Sequence, residues 1–409
     1  MNTYANIKNF GAQGNGVADD TLPIAAAIAL AAKTSGAVYC PPGVYVFPQK
    51  IPDISNAIGV KLFGAGQGIT VFRSTVPAGT PAFGDAVFMN FITCNDIHVH
   101  DITFDINGIL TTNTNTDALG FIGCNRVKVH DAGVINGTRN GIAFNGGSDL
   151  SAVDCLLTKA GAAVNSFQNE AIIVSVGGGA VNTVRVRGNT ITGWGTLFSG
   201  NDVHVIDNNV SGWGYGAGIT INADTSTSRP VIVGNTCKDS TGLDVNNTQP
   251  SGIECWSPYA TITGNTCENN AGAGIAVGGQ SSTVTGNTCV NNGNYNRTGA
   301  GIAIVGQAGW TPVQNSLICN NVLEDTGPGT QAYGIQETPG VAFSNNRYEG
   351  NMFAGNTVAR TSFSTASTQI QYQGDVFEAT ASATLPLIGN GGSYSTVVTV
   401  AGANLLRVS

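Results

Sequence analysis

The sequence predicts an all-β protein, a parallel β-helix solenoid with a short capping helix at its N-terminal end. Three observations lead to this prediction. Of the 409 residues, 42% are hydrophobic, only 10% are charged and 56 are Gly, a composition that excludes disorder and suits many short strands joined by tight turns. A short apolar motif and a turn-forming Asn both recur along the chain. No helical pattern long enough for a crossover separates the repeats.

The N-terminal segment has the pattern of a helix. Residues 19–33 read DDTLPIAAAIALAAK, in which an Asp or Thr can cap the helix, Pro23 lies in the first turn and an Ala-rich apolar run follows. Because the open end of a solenoid exposes its core, we expect this helix to cover it. We divide the chain into an N-terminal cap (1–50), a β-helix (51–360) and C-terminal strands (361–409) that cap the other end or contact another subunit.

The apolar motif is a small residue followed by Ile, Leu or Val, and it recurs every 22 to 34 residues. The pairs are Ala86-Val87, Ala118-Leu119, Gly141-Ile142, Ala171-Ile172, Gly218-Ile219, Gly252-Ile253, Gly274-Ile275, Gly301-Ile302 and Gly334-Ile335, with Thr196-Leu197 as a weaker match. Each unit of this length holds two or three short strands. The units are therefore predicted to be the successive rungs of the solenoid.

The second series consists of Asn residues that each follow a short strand rich in Val, Ile and Thr. Its members are Asn189, Asn208, Asn235, Asn265, Asn287 and Asn320. Asn tolerates left-handed backbone and its side chain bonds to neighbouring backbone, so these residues are predicted to stack at one corner. The motif GNTC begins at Gly234, Gly264 and Gly286, and its Cys is predicted to point into the core. The nine Cys are therefore interpreted as small apolar core residues, and no metal site is expected.

Charge and hydropathy exclude several classes of protein. The net charge is −8, and the 17 Lys and Arg are scattered along the sequence, so no basic stripe for nucleic acid is expected and an acidic substrate is disfavoured. The sequence contains no run of 18 apolar residues, so no membrane span is predicted. The N-terminus has no signal-peptide pattern, and we expect an extracellular or virion-associated protein. His98, His100, His130 and His204 are predicted to be solvent-facing residues of a sheet.

The N-terminal sequence NIKNFGAQGNGVADDTLPIAAAIALAAKTSGAVYCPPGVYVF resembles the opening of the pectate-lyase-like β-helix superfamily, which includes polygalacturonases, rhamnogalacturonases and phage tailspike depolymerases. The matching segments include Phe10-Gly11-Ala12, Asp19-Asp20-Thr21 and PPGVY at residues 41–45. The resemblance implies a single-stranded right-handed parallel β-helix that acts on a polysaccharide. Relatives hydrolyse, eliminate, epimerise or transfer glycosyl groups, and tailspike relatives are often trimers, so a homotrimer is one open alternative.

The segment NTDALGF at residues 115–121 resembles the Asn-Thr-Asp segment of the polygalacturonase group, in which the Asp is a catalytic carboxylate. This resemblance implies a catalytic role for Asp117. The double Asp, Gly-His-Gly and Arg-Ile-Lys motifs of that group are not present in the sequence.

The residues that precede the apolar pairs form a predicted column that begins with Asp85, Asp117, Asn140 and Glu170 and continues with small residues. Neighbouring rungs lie about 4.8 Å apart. Asp117 and Glu170, two rungs apart, would approach the roughly 6.5–9.5 Å separation of inverting glycosidases, and Asp85 with Asp117 the closer spacing of retaining ones. Arg139 and Asn140 would orient sugar hydroxyls. The alternative is a polar turn in which Asp and Asn only bond to the backbone.

A second group of candidates combines an acid with aromatic residues. Glu254 follows an inward Ile and is expected to point outward together with Trp256. Trp194, Trp213 and Tyr215 lie in the Gly-rich segments ITGWG and VSGWGY. Since aromatic faces stack on sugar rings, Trp194, Trp213, Tyr215 and Trp256 are predicted to bind substrate. The alternative for these rings is packing beneath a loop.

The sequence therefore favours a polysaccharide-degrading glycoside hydrolase with catalytic acids from Asp117, Glu170, Asp85 and Glu254, and with no cofactor. A polysaccharide lyase remains an alternative because Arg126, Lys128 and Arg139 lie near Asp117 in sequence; such an enzyme would use Ca²⁺ or a positive side chain to neutralise a uronate. An epimerase, a glycosyl transferase and a non-catalytic tailspike or adhesin shaft also remain open. The expected partner is a polysaccharide or oligosaccharide, not nucleic acid or a membrane.

Overall fold

The computed structural model describes residues 4–75, 87–107, 117–159, 170–222, 229–242, 250–293, 299–306, 313–327, 329–368 and 371–373. In this part of the chain, short strands pair in parallel with the strands of the preceding and following rungs. They form three faces, which we number 1 to 3 in the order in which each rung passes through them. The predicted parallel β-helix is confirmed.

Face 1 carries the apolar motif. Its strands are Ile54–Ser55, Val87–Ile92, the first part of Asp117–His130, the first part of Ile142–Val153, Glu170–Ser175, Gly195–Phe198, Ile219–Ile221, Ile253–Cys255, Ile275–Val277, Gly299–Ile304, Gln331–Glu337 and Ala359–Ser362. Ile219, Ile253, Ile275, Ile302 and Ile335 are cross-strand partners in succession, and all five are fully buried. The small residue before each Ile lets neighbouring segments approach closely, and the Ile fills the interior.

Face 2 follows after a turn, and the strands Asp117–His130 and Ile142–Val153 run across faces 1 and 2. Its strands are Tyr4–Asn6, Ala37–Tyr39, Lys61–Phe63, Asn95–His100, the second parts of Asp117–His130 and Ile142–Val153, Val181–Arg187, Asn201–Ile206, Val231–Val233, Thr261–Thr263, Thr283–Thr285, Leu317–Cys319, Arg347–Glu349 and Gln371–Gln373. Buried and solvent-facing residues alternate along most of them, as expected for a sheet with one face in water.

Face 3 consists mostly of three-residue strands. They are Asn15–Asp19, Gly43–Phe47, Thr70–Ser74, Thr103–Asp105, Gly133–Gly137, Leu156–Lys159, Thr190–Thr192, Asn209–Ser211, Thr236–Lys238, Thr266–Glu268, Thr288–Val290, Val322–Glu324 and Met352–Ala354. Cys237, Cys267 and Cys289 are cross-strand partners and fully buried. The prediction that the Cys of each GNTC points into the core is confirmed.

The tight turn from face 2 to face 3 holds the predicted Asn ladder, with one correction. Each side-chain amide donates to the next Asn side chain at 2.8–3.0 Å, in the order Asn189, Asn208, Asn235, Asn265, Asn287, Asn321 and Asn351. The ladder member is Asn321, not Asn320. Asn320 has φ 54° and occupies the left-handed position taken by Gly286 on the previous rung. In GNTC, therefore, Gly makes the left-handed turn and Asn forms the ladder.

The predicted N-terminal helix spans Thr21–Thr34 and buries Ile24, Ala27, Ile28 and Ala31. Asp20, just before it, accepts hydrogen bonds from Gln13 N at 2.6 Å and Gly14 N at 3.1 Å, which fixes the entry to the helix. Because Tyr4–Asn6 already pairs with Ala37–Tyr39, the cap shares a sheet with the solenoid. No helix within the described ranges has the length and hydropathy needed to cross a bilayer.

The solenoid continues beyond the predicted boundary at residue 360. Gln371–Gln373 pairs in parallel with Arg347–Glu349 and extends face 2 by one rung. The remaining predicted C-terminal strands lie outside the described residues.

Candidate functional site

Two acids and an amide form a continuous ladder at the corner where face 3 passes into face 1. Asp117 Oδ1 accepts hydrogen bonds from the backbone N and the side-chain Nδ2 of Asn140, at 3.1 and 2.9 Å. Asn140 Oδ1 in turn accepts the backbone N–H of Glu170 at 3.0 Å. These three residues, which we call the carboxylate ladder, therefore lie on consecutive rungs, as the repeat spacing predicted.

The carboxylate ladder is buried rather than openly exposed. Asp117, Asn140 and Glu170 have relative exposures of 7%, 3% and 8%. The bonds of Asp117 and Asn140 to backbone N–H groups match the polar turn that the sequence left as the alternative. The ladder therefore has a structural role at this corner, and any chemical role must come from carboxyl groups that are nearly enclosed.

Glu170 lies in an environment that favours its neutral form. Burial raises the pKa of its carboxyl group to about 8, while the charge of Lys159 acts in the opposite direction. Gly195 is the cross-strand partner of Glu170, and the absence of a side chain there leaves room for the carboxyl group. A carboxylic acid that keeps its proton near neutral pH has the state required of a general acid.

Asp117 lies in a different environment, because it is surrounded by donors. Besides the two bonds from Asn140, the Nε atom of Arg139 lies 3.6 Å from Asp117 Oδ1, and both side chains are largely buried. Hydrogen bonds to a carboxylate and a nearby positive charge both favour the ionised form. The two carboxyl groups of the ladder thus have environments of opposite kinds.

Lys159, at the end of a face-3 strand, adds a half-buried cation beside Glu170. Burial lowers the pKa of its ammonium group, and the charge of Glu170 partly counteracts this. Lys159 was not among the site residues predicted from the sequence, because the surrounding segment TKAG matches no functional motif. The only available signal was its place at the end of a strand just before the rung that carries Glu170.

The register predicted for Asp85 is wrong. The cross-strand partner of Asp117 is Val87, two positions later than the repeat spacing indicated. The prediction assumed that the repeat spacing continues through this part of the chain, but the segment before Asp117 differs in length from its neighbours. Asp85 itself lies outside the described residues.

Glu254 is not brought together with the carboxylate ladder. It pairs with Thr220 and Ala276 on the outer surface of face 1, where it is half-buried. Three strand steps separate its strand from that of Glu170, a distance of about 14 Å at the spacing of a sheet. Glu254 and Glu170 are therefore too far apart to act on one bond of a substrate.

The prediction that Trp194 and Trp213 stack on sugars is wrong. Their relative exposures are 1% and 0%, and each ring packs against a glycine, Gly137 and Gly218 respectively, at which a Cβ atom would overlap the ring. The same inward position on later rungs is held by buried Ser240, Asn270 and Asn292. The rings are part of the core and offer no face to a ligand.

Trp256 and Tyr215 keep the surface location that was predicted. Both are half-buried. The Trp256 ring lies close against the backbone of Gly278 on the next rung, which supports the ring on one side. These two residues remain candidates for contact with a sugar.

The sequence of residues 4–242 matches the family model described as rhamnogalacturonase A/epimerase, pectate lyase-like. The chain belongs to this family. Residues 171–370 match a model described as a right-handed β-helix region, which gives the hand of the solenoid. No curated protein matches the sequence significantly.

Solved structures share the fold of this pectate-lyase-like protein at low sequence identity. The A-module of mannuronan C-5 epimerase AlgE6 from Azotobacter vinelandii is 20% identical, with 92% of this chain and 100% of that chain covered and a TM-score of 0.71. The catalytic unit of the GH87 α-1,3-glucanase from Streptomyces thermodiastaticus is 16% identical, with 93% and 69% covered and a TM-score of 0.68. The Dettilon tailspike protein is 18% identical, with 88% and 68% covered and a TM-score of 0.60.

Proposed function

We propose that the protein is a glycoside hydrolase that acts on a polysaccharide, with Glu170 as general acid and Asp117 as general base. One observation carries the proposal: both carboxyl groups are buried in one ladder, but burial raises the pKa of Glu170 to about 8, whereas Asp117 accepts two hydrogen bonds from Asn140 and lies beside Arg139. Pairs of acids in opposite environments are the usual equipment for acid and base roles at one site. The similarity to a glucanase structure and the family description support a carbohydrate substrate.

We further propose an inverting reaction. Two strand steps place the backbones of the two acids about 9.6 Å apart, and carboxyl groups roughly 6.5–9.5 Å apart are typical of inverting glycosidases. Glu170 would give its proton to the glycosidic oxygen as the bond from C1 to that oxygen breaks. Asp117 would take a proton from the water that adds to C1 from the opposite side. The products are two sugars, one with a new reducing end of inverted configuration.

The test is the release of reducing ends from a panel of neutral and acidic polysaccharides by the full chain and by Glu170→Gln and Asp117→Asn. Loss of the general acid or base typically lowers the rate about 10²–10⁴-fold. Each variant should still unfold in the same transition as the unchanged chain, which shows that it is folded. Glu324→Gln, which removes a half-buried Glu from the outer surface of face 3, is the matched control and should retain full activity. Unchanged turnover in both folded ladder variants would refute the proposal.

A specific observation also favours a second candidate, a lyase or epimerase acting on a uronate polymer. Half-buried Lys159 has a lowered pKa, and a neutral amine can remove the proton at C5 of a uronate. Arg139 would neutralise the uronate carboxyl group. In elimination, the C4–O bond then breaks, a C4–C5 double bond forms and Glu170 protonates the departing oxygen.

The products separate these candidates. Elimination gives unsaturated ends that absorb ultraviolet light, and epimerisation changes the sugar configuration without chain cleavage. Hydrolysis gives reducing ends without that absorbance, and a binding shaft gives no product. Lys159→Met should abolish elimination or epimerisation, whereas hydrolysis through Glu170 and Asp117 does not require the amine.

A further inference from the structure

Two histidines on neighbouring rungs lie face to face on the outer surface of face 2. His100 and His130 are cross-strand partners, and their rings stack with centroids 4.5 Å apart and an angle of 12° between the ring planes. Both side chains are partly exposed, at 24% and 22%. They therefore lie on the solvent-facing side of a sheet, as predicted from the sequence.

Each ring is held by the aspartate that follows it in the chain. His100 Nδ1 lies 2.7 Å from Asp101 Oδ2, and His130 Nδ1 lies 2.8 Å from Asp131 Oδ2. Both aspartates have left-handed backbone, with φ 57° and 49°, and this tight turn brings each carboxylate next to the preceding ring. An ionised carboxylate only accepts hydrogen bonds. The proton of each neutral imidazole is therefore on Nδ1.

This arrangement leaves the Nε2 atom of each neutral ring with a lone pair. Nearly parallel rings that are bonded alike through Nδ1 are oriented alike, so both Nε2 atoms point to the same side of the stack. Within the described ranges, the only polar partner of either ring is its own aspartate. A carboxylate that fixes one ring nitrogen while the other stays available is the usual support of a metal-binding histidine.

Neighbouring side chains hold the pair on both sides. Phe63 is the cross-strand partner of His100, and the two rings stack with centroids 5.5 Å apart. Val153 is the partner of His130 on the opposite side. Both imidazoles are thus oriented before any ligand binds, which lowers the entropic cost of binding.

The charges around the pair favour a cation there. Asp101 and Asp131 place two partly exposed carboxylates beside the rings. His98, on the same face, instead lies between Lys61 and Lys128. Burial lowers the pKa of His98, and the charges of the two lysines lower it further, so a cation is disfavoured at that position.

We propose that His100 and His130 bind one Zn²⁺ ion, or a similar transition-metal ion, through their Nε2 atoms. The described residues contain no cluster of three or more His, Cys, Asp and Glu side chains suited to a metal ion, so water would fill the remaining positions. Imidazole is a good ligand for Zn²⁺, Cu²⁺ and Ni²⁺, whereas Ca²⁺ and Mg²⁺ prefer oxygen. This proposal departs from the expectation of no metal site.

Binding would connect two successive rungs on a face that does not include the carboxylate ladder. Two nitrogens that bind Zn²⁺ tetrahedrally at about 2.0–2.1 Å are about 3.3 Å from each other. That separation is shorter than the distance between the ring centroids, so the two rings would tilt toward each other on binding. The ion would then add a link between rungs that is present only in the folded chain, and it should stabilise the fold.

The test is a calorimetric titration of the full chain at neutral pH with ZnCl₂ and, separately, with CaCl₂. One Zn²⁺ should bind per chain and raise the midpoint of thermal unfolding. His130→Gln removes one of the two ligands and should weaken binding at least about tenfold. His204→Gln is the matched control. His204 also pairs with an aspartate, Asp202, at 2.9 Å, but its cross-strand partners are Arg185 and Val231, so its loss should leave the affinity unchanged.

The supporting aspartates provide a second test, which keeps both imidazoles. Asp101→Asn combined with Asp131→Asn should weaken Zn²⁺ binding about 10–100-fold, because the carboxylates no longer fix Nδ1. Asp202→Asn, beside His204, is the control and should bind as the unchanged chain does. X-ray absorption of the Zn²⁺-loaded chain should show nitrogen and oxygen ligands at about 2.0–2.2 Å and no sulfur at about 2.3 Å.

The outcomes separate this inference from the proposed function, since Glu170→Gln should retain Zn²⁺ binding while losing turnover. The inference is overturned if folded His130→Gln binds Zn²⁺ as tightly as the unchanged chain, or if Ca²⁺ binds equally well. Sulfur ligands in the absorption spectrum would also overturn it, because the ion would then be at a cysteine. If His130→Gln does not fold, the aspartate variants and the spectrum decide.

Discussion

Glu170 and Gly195 are cross-strand partners, and a Cβ atom on Gly195 would lie 3.1 Å from Glu170 Oε2. The same Cβ would collide with the carbonyl oxygen of Ala217 on the following rung. The space that Glu170 uses is therefore created by a residue without a side chain. The position of the candidate general acid depends on this glycine.

Gly195→Ala should lower both activity and stability. The added methyl group forces the backbone or the Glu170 carboxyl group to move, and overpacking of this kind typically costs about 1–3 kcal/mol of unfolding free energy. Denaturant unfolding and the rate of polysaccharide cleavage measure the two effects. Gly177→Ala is the control, because a Cβ there meets only Asn145 Oδ1 at 3.4 Å. Equal activity of the two variants would contradict the role assigned to this contact.

Activity and stability should both fall as the pH rises toward 8. The pKa of Glu170 is raised from 4.5 to about 8 in the folded protein, so between these values the unfolded chain loses a proton that the folded chain keeps. The stabilising contribution is thus complete below about pH 4.5 and lost as the pH rises to about 8. Its slope approaches about 1.4 kcal/mol per pH unit.

The measurement is the unfolding free energy of the unchanged chain and of Glu170→Gln from pH 5 to 9. The difference between the two should change through the interval below pH 8 and become constant above it. For hydrolysis, the turnover number should also decrease as the general acid loses its proton near pH 8. A pH-independent difference in stability would show that Glu170 titrates normally.

Trp194 and Trp256 should respond differently to replacement by Ala. Trp194 is buried in the core, so its loss should cost about 3–5 kcal/mol of unfolding free energy. Trp256 is half-buried on the outer surface, so its loss should cost less stability and instead raise KM for a long substrate. A Trp256→Ala variant with unchanged KM would remove this ring from the substrate contacts.

Asn265→Ala should destabilise the solenoid by about 2–4 kcal/mol. Asn265 Oδ1 accepts from both N and Nδ2 of Asn235, and its Nδ2 donates to Asn287 and to Ile232 O. Removing it leaves buried donors and acceptors unsatisfied, at about 1–3 kcal/mol each before relaxation. Asn209→Ala, at an exposed position on face 3, is the control and should change the unfolding free energy by less than about 0.5 kcal/mol.

The sequence specified the fold well because the repeat is written in residue types with distinct conformations. Gly marks the left-handed turn, Asn the ladder and Cys or Ile the core, as at Gly264, Asn265 and Cys267. The assignment failed at Asn320, where two Asn are adjacent and only the geometry tells the turn residue from the ladder residue. It failed similarly at Asp85, because a spacing cannot be extrapolated through a segment of irregular length.

The sequence predicted which residues of the candidate site align across the rungs, but not whether their side chains are buried or exposed. Asp117, Asn140 and Glu170 share a column as the spacing indicated, yet their burial depends on how the corner turns, and a turn does not preserve the alternation of a strand. The same limitation explains why Trp194 points inward. The sequence analysis did not predict that Lys61, His98, Lys128, Ser151, Arg185 and His204 align across face 2, because they are 19 to 37 residues apart.

Because the strands of all three faces pair in parallel, the resistance of the molecule to force should depend on the direction of that force. Hydrogen bonds between rungs, together with those of the Asn ladder, point along the solenoid axis, because strands in a sheet bond sideways. Tension along that axis would be carried by the hydrogen bonds and side-chain packing between rungs. Force applied across the axis would instead meet the covalent backbone of every rung, so the protein should resist sideways load far better than stretching.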